Sequence, residues 1–211
     1  MHITEGVAPA SVAAAGALLA AGGVVAGLRA MKDEQIPRAA IMASAIFAAS
    51  LLIRLPLGPS SVHPVLNGLA GLLLGWAAVP VFLVALFLQA LLFQFGGITT
   101  LGLNTVVMGA PAVLCYYGFN RSLRRCGSAR AAFWLGAAAG VTALLFSFLL
   151  WAGALVLSGK SLAVIVKLAL VPHLAILGVE GAFTGFVSAF LFRVYPRAFE
   201  IPRTLGTGTL S

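Results

Sequence analysis

The sequence predicts an all-α, polytopic membrane protein with seven transmembrane helices, its amino terminus outside and its carboxyl terminus cytoplasmic. Three observations carry that expectation. The 211 residues are 61% hydrophobic and 9% charged, a composition that excludes a water-soluble domain. From Leu55 to Asn120 there is no Asp, Glu, Lys or Arg, and a run of that length needs several passes of roughly 20 residues each through a hydrocarbon layer. The apolar runs are also continuous, without the period-2 alternation of a membrane barrel, so the spans are helices. Residues 1–211 read as one transmembrane domain.

The first span runs from about Pro9 to Leu28. No basic residue precedes it, and its only acidic neighbour is Glu5, so it reads as an uncleaved span rather than a signal peptide. A loop from Arg29 to Arg38 leads to the second span, about Ala39 to Ile53, closed by Arg54. The segment Leu55 to Val62 has turn composition, with Pro56, Gly58, Pro59, Ser60 and Ser61. His63 follows, then Pro64 at a favoured first helical position. The third span is short, about Pro64 to Ala78, and carries Gly68, Gly71 and Gly75. The fourth, about Val79 to Phe95, ends at Gly96-Gly97. The fifth covers about Leu101 to Phe119 and the sixth about Ala131 to Leu157. A segment from Ser158 to Pro172 leads to the seventh, about His173 to Phe192.

Threaded from an outside amino terminus, the cytoplasmic segments hold Arg29, Lys32, Arg38, Arg121, Arg124, Arg125, Arg130, Arg193, Arg197 and Arg203. Arg54, Lys160 and Lys167 face outward. This bias obeys the positive-inside rule. The net charge of +8 therefore expresses membrane orientation and contact with anionic lipid of the bilayer, not a nucleic-acid partner.

The opening residues carry the chemistry. The α-amine of Met1, the amide nitrogen of His2 and a ring nitrogen of His2 can close two fused chelate rings in one plane, leaving a fourth position. Such all-nitrogen, tetragonal coordination suits Ni(II), Cu(II) or low-spin Co(II) better than Zn(II). The topology puts His63 on the same outer side, where its ring can offer the fourth nitrogen. His173, the remaining histidine, falls at an outer boundary. Glu180 is the one carboxylate inside a span, which makes it a functional candidate by default. It lies seven positions after His173 on one helical face, so the pair could form a relay; alternatively Glu180 is a structural carboxylate bonded to neighbours such as Asn104. Ser60, Ser61, Asn104, His173 and Glu180 complete the candidates for supporting or relay roles. Ala13, Ala17 and Ala21 recur every four positions, as in close helix packing.

Other chemistry is excluded. Ala154 to Ser161 fits a loose phosphate-loop pattern but follows an apolar helix on the outer face, the wrong context for one. No zinc-protease motif or nucleophile elbow occurs. Cys115 in a span and Cys126 in a basic loop make neither a disulfide framework nor a metal pair.

Met1-His2-Ile3 with Glu5-Gly6, Ser60-Ser61-Val62-His63 followed by Asn67-Gly68-Leu69, and the stretch Gly96 to Asn104 resemble the CbiM/NikM family, with similarity extending to Glu180-Gly181. Those proteins are the substrate-binding membrane components of cobalt and nickel energy-coupling-factor transporters. The resemblance implies uptake of Co2+ or Ni2+ as substrate across a prokaryotic inner membrane, with no cofactor and no enzymatic activity of this chain's own. It implies metal capture by Met1, His2 and His63. It also implies a transmembrane coupling component, a pair of cytoplasmic ATP-binding cassette ATPases and a small accessory membrane subunit as partners. The rival expectation is a proton-coupled secondary metal transporter that uses Glu180 and His173.

Overall fold

The computed structural model of the chain describes residues 2–52, 55–57, 60–159 and 163–200. Among the described residues eight α-helices form the bundle: α1 (Ala10–Ala30), α2 (Ile36–Leu52), α3 (Asn67–Leu74), α4 (Ala78–Phe93), α5 (Leu101–Cys115), α6 (Arg121–Arg125), α7 (Ala129–Ser158) and α8 (Ala163–Val194). One π-helical turn, Tyr116–Asn120, joins α5 to α6, and 3-10 turns occupy Asp33–Gln35, Gly75–Ala77 and Pro196–Phe199.

Among the described residues six helical stretches are long and apolar enough to cross a membrane, where the sequence reading expects seven. The expected third and fourth spans fall in one of them, Asn67–Phe93. That stretch is not straight. At Gly75 the backbone takes φ +59°, a conformation open to glycine, and a single 3-10 turn separates α3 from α4. The far end of α3 lies beside the end of α5: Asn120 Nδ2 donates to Leu72 O at 2.9 Å, and Trp76 Nε1 donates to Tyr117 Oη at 2.9 Å. α4 then returns to the other end of the bundle, where Gln89 meets His2. α3 and α4 thus run in opposite directions.

The all-α expectation needs a second amendment. β1 (His2–Ile3), β2 (Leu55–Leu57) and β3 (Ser60–Val62) form an antiparallel sheet in the order β1-β3-β2, pairing His2 with Ser61 and Ile3 with Ser60. Pro56 has no N–H to give a helical ladder, and the polar backbone of these strands is satisfied across strands instead.

The last span also starts earlier than expected. α8 runs helically through Pro172, so His173 lies in its interior and not at its start. Proline is tolerated in a membrane helix where neighbouring helices satisfy the freed backbone.

α3 sits at the centre of the bundle with nearly every residue buried. Glycine makes room for it: a methyl at Gly68 would lie 2.6 Å from Gly140 Cα of α7, and one at Gly71 would overlap the Ala112 carbonyl of α5. Without a hydrophobic drive between helices in lipid, such close backbone approach supplies the cohesion. The far end of α3 is fastened further, since Asn120 Nδ2 also donates to Phe199 O at 3.0 Å, in the turn after α8. Cys115 and Cys126 are separate thiols, as expected.

Candidate metal centre

The first residues are built into the protein. Ile3 is fully buried, and Asn104 of α5 grips its backbone from both sides: the Ile3 N–H donates to Asn104 Oδ1 at 2.9 Å, and Asn104 Nδ2 donates to the Ile3 carbonyl at 3.0 Å. Thr100 Oγ1 donates to the same carbonyl at 2.8 Å. Two residues on, the Glu5 N–H donates to Gly96 O at 2.9 Å, and the Glu5 carboxylate accepts from the Thr99 hydroxyl and from the Thr99 N–H at 3.3 Å. Gly96 (φ +80°) closes the site wall, because a side chain there would start 3.3 Å from His2 Cδ2 and 3.1 Å from Asn104 Nδ2.

With Ile3 clamped, His2 is carried into the interior, where it is 1% exposed. Its Nε2 lies 2.7 Å from Gln89 Oε1, an acceptor, so the ring hydrogen sits on Nε2 and Nδ1 is left as the acceptor nitrogen. His63 is equally buried, and its Nδ1 lies 2.8 Å from the Pro64 carbonyl. A carbonyl only accepts, so Nδ1 of His63 carries the hydrogen and Nε2 is its acceptor nitrogen. The two acceptor nitrogens, His2 Nδ1 and His63 Nε2, face each other at 3.0 Å, with ring centroids 4.6 Å apart. That is the spacing of adjacent corners of a square around an ion whose metal–nitrogen bonds are roughly 2.0–2.1 Å long. Fixing one ring nitrogen through a carbonyl or amide oxygen, as here, is how proteins orient the other toward a metal.

The remaining candidates separate into those that support this pair and those that do not. Met1 lies outside the described residues. Ser60 and Ser61 belong to β3 and pair by backbone with Ile3 and His2, while their side chains lie outside the description. Asn104 holds Ile3, not Glu180, so the suggested Asn104–Glu180 partnership is not found. Glu180 instead reaches from α8 to the loop after His63. Its Oε1 accepts the N–H groups of Val65 and of Leu66, the latter at 2.8 Å, where Leu66 adopts φ +59°. His173 is buried between Phe148 and Trp151, with ring centroids at 4.7 and 5.6 Å, and its Nδ1 bonds to Ala169 O at 2.7 Å. Its described contacts lie within α7 and α8, not at His2 or His63. Among the described residues no group of three or more His, Cys, Asp or Glu side chains converges on a metal-sized space. Sequence reasoning missed Gln89. Its signal was there to read: a lone amide in an uncharged apolar helix must find a partner.

Residues 2–198 match the family CbiM, described as "Cobalt uptake substrate-specific transmembrane region". A "Putative metal transport protein" of Haemophilus influenzae is 40% identical over 205 residues, covering 95% of this chain and 97% of its own. The cobalt transport protein CbiM of Sorangium cellulosum is 38% identical over 208 residues, covering 90% of this chain and 91% of its own. A fused nickel transport protein NikMN of Rhodobacter capsulatus is 35% identical over 115 residues, 52% of this chain and 33% of its own. The crystal structure of a truncated transition metal transporter superposes with TM-score 0.69 at 22% identity, covering 92% of this chain and 99% of that one, a likeness of fold.

Proposed function

Because this chain belongs to the CbiM family of cobalt-uptake, substrate-specific transmembrane regions, we propose that it captures Co2+ or Ni2+ at its outer face as the substrate-binding component of an ATP-driven transporter. The observation that carries this reading is the pair of buried acceptor nitrogens, His2 Nδ1 and His63 Nε2, held 3.0 Å apart with their ring hydrogens committed elsewhere. The proposed donor set is the Met1 amine, the deprotonated His2 amide, His2 Nδ1 and His63 Nε2. In that square His63 lies opposite the His2 amide and beside His2 Nδ1, which is the adjacency the spacing supports. A rigid set of four nitrogens rejects Mg2+ and Ca2+, which take oxygen ligands, and disfavours tetrahedral Zn2+.

The opposed directions of α3 and α4 support seven passes, the third of them short, with the amino terminus outside and the carboxyl terminus cytoplasmic. The distribution of cations supports the same orientation. This chain performs no hydrolysis in the scheme. A transmembrane coupling protein and cytoplasmic ATPases in a prokaryotic inner membrane supply the work, with a small accessory membrane subunit as a further partner. The fused NikMN relative supports association with another transport component.

The test is metal content and the optical spectrum of protein with its native amino terminus. We expect one tightly held Co2+ or Ni2+ per chain with a planar-nitrogen spectrum. Acetylating the amine, prepending two residues or making His63→Ala abolishes tight binding, and full retention by any of them overturns the donor set. Protons compete for an amine near ~8 and an imidazole near ~6.5, so the affinity of the intact protein falls as the pH drops below about 6. Uptake into liposomes requires the ATPase partners; uptake without them favours the proton-coupled alternative.

A further inference from the structure

A polar cavity lies at the end of the bundle opposite His2 and His63. It measures about 520 Å3, and its lining includes Tyr117, Arg121, Arg124, Arg125 and Glu200. Positions 121, 124 and 125 share one face of α6, while Leu123 on the other side is 1% exposed and anchors the helix in the core. Among the described residues none of the three guanidiniums forms a hydrogen bond or ion pair, although Glu200 lines the same space. Three like charges within about one helical turn repel one another, so their shared cavity favours an anionic occupant.

Tyr117 also lines a second cavity, an apolar groove of about 610 Å3 between α1 and α5. Gly22 and Gly23 of α1 form part of its floor, and Val79 and Val113 contribute to its walls. Trp76, which lines the groove, donates from Nε1 to Oη of Tyr117, which lines both cavities, at 2.9 Å, a Trp–Tyr pairing of the kind enriched at headgroup depth. A cationic pocket and an apolar groove that share Tyr117 as a lining residue together have the chemistry of one amphiphile. An acidic protein segment would satisfy the arginines but leave the groove unfilled.

We propose that Arg121, Arg124 and Arg125 hold the phosphate-bearing headgroup of an anionic phospholipid whose acyl chain lies in the groove between α1 and α5. The assignment to the cytoplasmic leaflet rests on the orientation proposed above. The site itself does not depend on metal capture, so the two readings fail separately.

The experiment uses the full chain in phosphatidylcholine nanodiscs titrated with phosphatidylglycerol, with retained lipid counted by native mass spectrometry. The unaltered protein is expected to retain phosphatidylglycerol in preference to phosphatidylcholine. Changing Arg121, Arg124 and Arg125 together to Gln weakens that retention on the order of a hundredfold. Gly22→Leu, whose new side chain meets nothing within 4 Å at its first carbon, fills the groove and weakens phospholipid but not inorganic phosphate. Arg130→Gln with Arg193→Gln, cations lining a different cavity, leaves retention at Tyr117 unchanged. Helical content and melting temperature establish that each variant is folded. Equal retention of both lipids, equal loss in the Arg130/Arg193 variant, displacement by inorganic phosphate at matched concentration, or a protein subunit occupying the site in lipid's place overturns the proposal.

Discussion

The imidazole of His63 is only as well aimed as the three residues that follow it. Pro64 O fixes its tautomer, and Glu180 Oε1 accepts the next two backbone N–H groups from a helix more than a hundred residues later in the chain. Glu180→Ala leaves two buried donors without an acceptor, a loss on the order of 2 kcal/mol. It is expected to lower both the melting temperature and the affinity for Co2+ or Ni2+. Glu180→Gln keeps an oxygen in the same place and should retain most of both, as read by calorimetric melting and metal titration. Failure of the Gln variant alone would mean that the carboxylate's charge matters and not its acceptor geometry. This contact could not be read from the chain. His2 and His63 stand out because imidazole beside a terminal amine has a recognisable chemistry, and Glu180 stands out as a lone acid in an apolar run. Which backbone that acid would hold is a matter of tertiary placement, with no local pattern to reveal it.

At the level of elements, spacing is set by missing side chains. α3 fits between α5 and α7 because Gly68 and Gly71 bring backbone against backbone. Gly71→Val drives two methyl groups into the Ala112 peptide, and overpacking of this kind costs roughly 1–3 kcal/mol. The expected outcome is a lower melting temperature together with weaker metal binding, because α3 carries the His63 loop at its head; the melting curve and the titration check both. Glycines were visible in the third predicted span, as was the end of the fourth at Gly96-Gly97. The sheet and the early start of α8 were not. A strand of two residues is too short to show periodicity, and Pro172 looked like a boundary although the neighbouring helices let α8 continue through it.

Over the whole molecule, the cation distribution makes an orientation that native thiols can test. Cys126 follows α6 in the basic loop and is partly exposed, whereas Cys115 is buried. A membrane-impermeant thiol reagent is expected to leave intact cells unlabelled and to modify Cys126 once the membrane is breached; labelling of intact cells would invert the topology. Composition made the membrane class legible at once, since lipid imposes the same demand on every span, while the count of continuous helices depended on a single turn at Gly75. One feature of that central helix has mechanical meaning. The loop at its head is bonded to the middle of α8 through Glu180, and its foot shares Asn120 with the turn just beyond α8. α3 is therefore tied at both ends to α8 and the turn that follows it, so displacing the Pro196–Phe199 turn relative to α8 is expected to shift the ring of His63.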